Sequence, residues 1–161
     1  MKRLILVRHA KSSLNQPLVS DHQRILNESG HNESKLIGQY LFNNQYTPSH
    51  IISSTATRTI ETANIIIEQL KLKNKIEKQS LIYSDSFLNI LNLINNVKKQ
   101  YKCIMLVGHN PTITQLINHI TNVKINHMPT CGMGIIDFDV TWNSITENGK
   151  LVDFIWPDKL K

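Results

Sequence analysis

Apolar positions along this chain switch between two spacings. Residues 3–7 and 103–107 are short, nearly continuous apolar runs, and each predicts a buried strand. Residues 27–43 predict a helix, with Leu36, Ile37, Tyr40 and Leu41 on one face and Gly30 near its start. A short strand over 51–53 follows Pro48, and a helix over 57–72 carries Ile60, Ala63, Ile67 and Leu70 on one side. Residues 76–83 read as a further strand with weaker alternation. Residues 86–98 read as an amphipathic helix through Phe87, Ile90, Leu91, Ile94 and Val97. Asn110 is placed to cap a helix that has Pro111 at its first position and turns Ile113, Leu116, Ile117 and Ile120 to the core. Residues 134–139 and 151–156 read as two strands around the turn signal Glu147-Asn148-Gly149. Strands alternating with helices and closing on a strand pair predict a three-layer α/β/α sandwich with a largely parallel or mixed sheet. A single domain over 1–161 is the expectation at this length.

In open sheets of this kind ligands sit beyond the carboxyl ends of the strands. The first strand ends in Arg8-His9. The second leads through S-S-T-A-T to Arg58 at a helix start, and the 103–107 strand ends in Gly108-His109-Asn110. One such residue could be a solvated strand end, a surface helix residue or a turn histidine. Two arginines and two histidines at three equivalent strand ends predict one anion site, helped by backbone N–H groups at two helix N-termini, and a tetrahedral dianion would suit it.

Composition narrows the class further. Lys and Arg number 18 against 12 Asp and Glu, a net charge of +6 with a pI near 9.4. They are spread over the chain with no basic block, which favours an anionic substrate over nucleic acid. The run at 4–7 is too short for a signal core or a membrane span. Cys103 and Cys131 form no C-x-x-C pair, so a reducing cytoplasm is expected. None of the seven histidines falls in an H-E-x-x-H pattern or a compact carboxylate cluster, so no metal and no other cofactor is expected.

The stretch R-H-A-K-S-S-L-N (residues 8–15) resembles the R-H-G-x-S-x-x-N signature of the histidine phosphatase superfamily, the phosphoglycerate-mutase-like enzymes. The resemblance continues, in order, in S-S-T-A-T-R-T-I-E-T-A (53–63) and V-G-H-N-P (107–111). The R-H-A-K-S start, the short chain and P-T-C-G at 129–132 look most like the SixA-type phosphohistidine phosphatases. Ala10 replaces the usual Gly, a small-for-small change.

The resemblance implies that His9 attacks phosphorus through Nε2 and forms a phosphohistidine intermediate that water hydrolyses. A backbone carbonyl accepting from Nδ1–H would fix the required tautomer. Arg8 and Arg58 would clamp the non-bridging oxygens and His109 would donate to them in the transition state. Asn15 matches the Asn of the signature and is either a phosphoryl contact or a turn residue. Ser12 either steadies the loop or reaches phosphate. Lys11 would sit at the rim, Asn110 beside the substrate, and Thr130 could line the pocket.

Ester-cleaving relatives add a Glu or Asp that protonates the leaving oxygen. In the corresponding interval this chain offers Glu77, within a predicted strand, and Asp85, which reads as a helix cap more than as an acid. An alkoxide needs that proton. An imidazole, with an ordinary pKa of about 6.5, can leave with a proton taken from water on its other nitrogen. The expected substrate is therefore a phosphohistidine-bearing protein, and the short 15–29 run suits an open site on a monomer. A small-molecule phosphomonoester phosphatase or mutase using Asp85 or Asp21, and a non-catalytic phospho-binding module, are the alternatives.

Overall fold

The computed structural model describes residues 1–14, 16–84 and 86–161; Asn15 and Asp85, both named above as candidate site residues, lie outside the described residues. Leu4 to Val7 are all fully buried, and the sheet explains why. Its strands are β1 (Lys2–Arg8), β2 (His50–Ser53), β3 (Ile76–Lys78), β4 (Cys103–Gly108), β5 (Met133–Phe138) and β6 (Lys150–Ile155), in the order β3-β2-β4-β1-β5-β6. β3, β2, β4 and β1 run parallel, whereas β5 is antiparallel to both β1 and β6. The sheet is therefore mixed, with a parallel core.

Helices cover both faces. Leu4 and Leu6 join Ile104, Leu106 and Ile136 in one apolar cluster with Ile90, Ile94, Leu116 and Ile117. Ile5 and Val7 join Met105, Val107 and Ile135 in a second cluster with Ile37, Leu41, Ala63 and Ile66. Successive strand residues point to opposite faces, so a strand buried on both sides must be apolar at every position. Each such side chain contributes about 1.5–3 kcal/mol by leaving water.

The first cluster is roofed by α4 (Phe87–Asn95) and α5 (Thr112–Thr121), the second by α1 (Glu28–Asn43) and α2 (Thr57–Gln69). The Asn27 side chain caps α1 by accepting from the Gly30 N–H at 2.9 Å. Gly30 itself is required by proximity, since a Cβ there would stand 2.0 Å from the Lys11 carbonyl oxygen. On α2 the buried face is Thr59, Thr62, Ala63, Ile66 and Ile67, and the expected Ile60 is only half-buried.

Two sequence expectations are corrected. The strand expected over 76–83 stops at Lys78 and is followed by a helical turn, α3 (Leu81–Ser84). Ile82 is buried in the first cluster beside the partly buried Leu81, a placement of neighbours that a turn permits and a strand's alternation opposes. Asn110 does not cap α5. That helix begins after Pro111, and the Asn110 side chain is occupied by the Thr114 hydroxyl (2.8 Å) and the Met128 carbonyl (2.9 Å). Ser86 takes the cap of α4. No helix among the described residues is long and apolar enough to cross a membrane.

Candidate active site

Strand register alone brings three chain segments level. Arg8 lies opposite Gly108, and Ser53 lies opposite Val107. One residue further along each strand stand His9, His109 and Ser54. The sheet hydrogen bonding continues past β1. The His9 N–H donates to the Gly108 carbonyl and its carbonyl accepts from the Cys131 N–H, both at 3.0 Å. His9 is thus held from both sides, as a central-strand residue would be.

Around it lies an open cleft of about 650 Å³, lined by Arg8, His9, Arg58, His109, Asp21 and Tyr83 among others. Arg58, in the first turn of α2, is buried, and its Nη2 comes within 3.4 Å of His109 Nδ1. The rings of His9 and His109 are 5.3 Å apart between centroids. His109 Nε2 faces the Ser54 hydroxyl at 2.8 Å. Arg8 donates from Nη1 to the Met128 carbonyl at 3.0 Å. The Nε atoms of Arg8 and Arg58 are buried without a partner among the described residues.

His9 Nδ1 lies 2.8 Å from the Ala10 carbonyl oxygen. A carbonyl only accepts, so the proton sits on Nδ1 and Nε2 keeps its lone pair. Ala10 is fully buried in the second cluster and donates its N–H to Thr62 Oγ1 at 3.0 Å, which fixes that carbonyl. Burial is the main cause that pushes His9 down to about 4; the Ala10 bond opposes it, and Arg58, Arg8 and Arg24 reinforce it. His109 is pushed down to about 3, by burial first and then by His9 and Arg58. Both rings are neutral near pH 7.

A pH prediction follows. In kcat/KM, which reports the free enzyme, the His9 acid limb should fall near pH 4, well below the ordinary value of 6.5. A limb near 6.5 would contradict the burial of His9. Stability moves in the same direction. Because the folded-state values lie below 6.5, the unfolded chain takes up protons first as pH drops. The stability linked to the two neutral rings is therefore complete above about pH 6.5 and is lost on descent through 4 and 3. Melting temperatures measured across that range would show it.

Other expected residues fall around the mouth. Lys11 is exposed, and its N–H donates to Glu33 Oε2 at 2.9 Å. The Ser12 hydroxyl accepts from Arg24 Nη1 and both line the cleft. Thr130 also lines it and donates to Glu33 Oε1 at 3.2 Å. Asn110 lines the cleft between Thr114 and Met128.

Several cleft residues gave little signal in the sequence. In the sequence Asp21 stands out only as an alternative acid. Its carbonyl accepts from Arg58 Nη1 at 2.7 Å, and its carboxylate accepts from Arg58 Nη2 (3.2 Å), the Tyr83 hydroxyl (2.7 Å) and Arg24 (3.0 Å). The Tyr83 bond leads the causes that lower Asp21 to about 2. Tyr83 packs its ring edge-on to His109, at 5.4 Å between centroids. His127 stands exposed beside Arg8, 3.2 Å from Nη1. The Asp21/Arg24 spacing of three was visible in the sequence, but nothing tied it to the strand ends.

The model of the histidine phosphatase superfamily (branch 1) matches residues 4–80 of this chain. The chain is similar to a solved Agrobacterium tumefaciens protein assigned as a phosphohistidine phosphatase SixA, with a TM-score of 0.83 and 28% identity over 96% of this chain and 97% of that one. A second solved structure, a protein histidine phosphatase SixA with tungstate, overlays with a TM-score of 0.87 at 18% identity, covering 99% of each chain. An uncharacterized chloroplastic protein of Arabidopsis thaliana is 27% identical over 154 residues, covering 88% of this chain and 69% of that protein.

Proposed function

We propose that the chain, whose residues 4–80 match the model of the histidine phosphatase superfamily (branch 1), is a member of that superfamily and a phosphohistidine phosphatase in which His9 takes the phosphoryl group from a phosphorylated protein and water removes it. His9 Nε2 forms a bond to phosphorus as the bond from phosphorus to the substrate's ring nitrogen breaks. The departing imidazole keeps the electron pair. Water then attacks the phosphoryl group on His9, inorganic phosphate leaves, and the Nε2 lone pair is restored. Arg8, Arg58 and His109 hold the equatorial oxygens throughout. All four groups come from one chain, so the reading requires neither a metal nor a second subunit, and it treats residues 1–161 as one domain.

The state of Asp21 carries the choice of leaving group. It is the one carboxyl lining the cleft among the described residues, and Tyr83, Arg24 and Arg58 hold it as an anion down to about pH 2. A carboxylate without a proton cannot protonate an alkoxide at neutral pH. An imidazole leaving group does not ask it to. The cleft mouth supports a protein-borne substrate: Leu14, which lines it, is 81% exposed, and Leu18, in the same β1–α1 connection, is fully exposed. The SixA structures supply the fold precedent. Reducing surroundings such as the cytoplasm suit the two free cysteines.

The test compares steady-state hydrolysis of a phosphohistidine protein and of phosphoglycerates by the native enzyme and by Asp21→Asn. The phosphohistidine protein should be the faster substrate, and Asp21→Asn should keep its turnover within about 10-fold, because general acid catalysis is ordinarily worth about 10²–10⁴. Faster ester cleavage would overturn the proposal. It would favour the phosphomonoesterase reading, with Asp21 as the acid if Asp21→Asn abolished that activity and Asp85 if Asp85→Asn did.

A further inference from the structure

We propose that Ser54 is a positioning residue that sets the tautomer of His109, so that Nδ1 rather than Nε2 carries the ring proton into the phosphoryl site. The inference rests on the reading of His109 as a phosphoryl-oxygen donor.

Ser54 is fully buried, and nearly every bonding group it has is committed. Its N–H donates to the Val107 carbonyl at 3.1 Å, extending the β2–β4 pairing by one residue. Its carbonyl accepts from Ser53 Oγ (2.9 Å) and Thr59 Oγ1 (3.0 Å). Its Oγ accepts from the Ala56 N–H at 3.2 Å and lies 2.8 Å from His109 Nε2. The hydroxyl proton is what is left to place.

If Nε2 carried the histidine proton, Ser54 Oγ would accept twice and its own O–H would be left without a partner in a fully buried position, at a cost of about 1–3 kcal/mol. If the O–H donates to Nε2, each group is used once and the ring proton moves to Nδ1. That nitrogen faces Arg58 Nη2 at 3.4 Å. Two N–H donors directed at one another repel unless an anion lies between them. A phosphoryl oxygen accepting from both is that anion. The competing arrangement gains a contact from the second N–H of Arg58 Nη2, at 3.4 Å the long end of the hydrogen-bond range, and leaves the buried Ser54 O–H unpaired. A neutral imidazole has one N–H, so a wrong tautomer presents a lone pair to the phosphoryl oxygens where a donor is needed.

The experiment reads the tautomer directly by ¹⁵N-detected NMR of the His109 ring in the native protein at pH 7, with and without tungstate. The expected result is a protonated Nδ1 with tungstate bound, where the oxyanion accepts from both His109 Nδ1–H and Arg58 Nη2. A protonated Nε2 with tungstate bound would overturn the inference. Ser54→Ala should lower kcat at least about 10-fold, short of the 10²–10³ expected for deleting a transition-state donor outright, and should shift the tautomer toward Nε2–H. Ser54→Thr, which keeps the hydroxyl, should restore both. A Ser54→Ala protein that folds, keeps native kcat and keeps its Nδ1–H would also overturn it. The NMR result needs no turnover, so failure of the phosphohistidine assignment would be recognised separately.

Discussion

Asparagine in place of His9 should abolish turnover, with a loss on the order of 10⁴ or more, the scale seen when a nucleophile is removed from a cooperating set. It should also abolish acid-labile, alkali-stable incorporation of labelled phosphate. The fold should survive, because the bonds that seat residue 9 in the sheet come from its backbone N–H and carbonyl. A near-native melting temperature with no label identifies His9 as the attacking atom's residue. Label that persists in His9→Asn would assign the covalent step to another residue, with His109 the next candidate because its ring stands 5.3 Å away.

The second large effect is expected at Arg58. Arg58 is buried, 5% exposed, and its guanidinium holds Asp21 through two bonds while reaching His109. Arg58→Ala removes a cation from the phosphoryl site and frees the Asp21 carboxylate, which would then repel the incoming dianion. Single-turnover phosphorylation of His9 should slow by about 10²–10³, the range for a lost electrostatic donor. Arg58→Lys should remain more than about 10-fold slow, because an ammonium is a point charge and cannot serve Asp21 and a phosphoryl oxygen in one plane. Full recovery with lysine would mean that charge alone matters at this position. Suppression of the Arg58→Ala defect by a second change, Asp21→Asn, would show that the freed carboxylate causes part of it.

The residues legible in the sequence share a physical reason. Leu4 to Val7 and Ile104 to Val107 are apolar at every position because helices cover both faces of the sheet, and an uninterrupted apolar run is how that burial is written. Arg8, His9 and His109 stood out because each polar residue directly ends such a run. Arg58 followed from the second of the three blocks. Asp21 and Arg24 lie at a 3-10 turn, residues Asp21–Gln23 and the residue after it, which has no hydrophobic period to place it in space. Tyr83 was hidden by the change from strand to helical turn after Lys78. Asn110 misled because it precedes a proline at a helix start, yet its side chain bonds Thr114 and Met128. Ser54 lies inside a recognised block, but its link to His109 depends on strand register, which no single segment records.

His9 is held on both sides by backbone pairing and His109 directly follows the paired β4 strand, whereas Leu14 and Leu18 belong to the connection between β1 and α1. That connection is tied to the site by side chains, Arg24 to Ser12 and Asp21 to Arg58. The division gives the protein a means of diversification. Under the proposed function, descendants can exchange the exposed leucines and acquire new phosphoprotein clients without disturbing the pairing that seats His9, so chemistry is inherited with the sheet while client choice drifts with the loop.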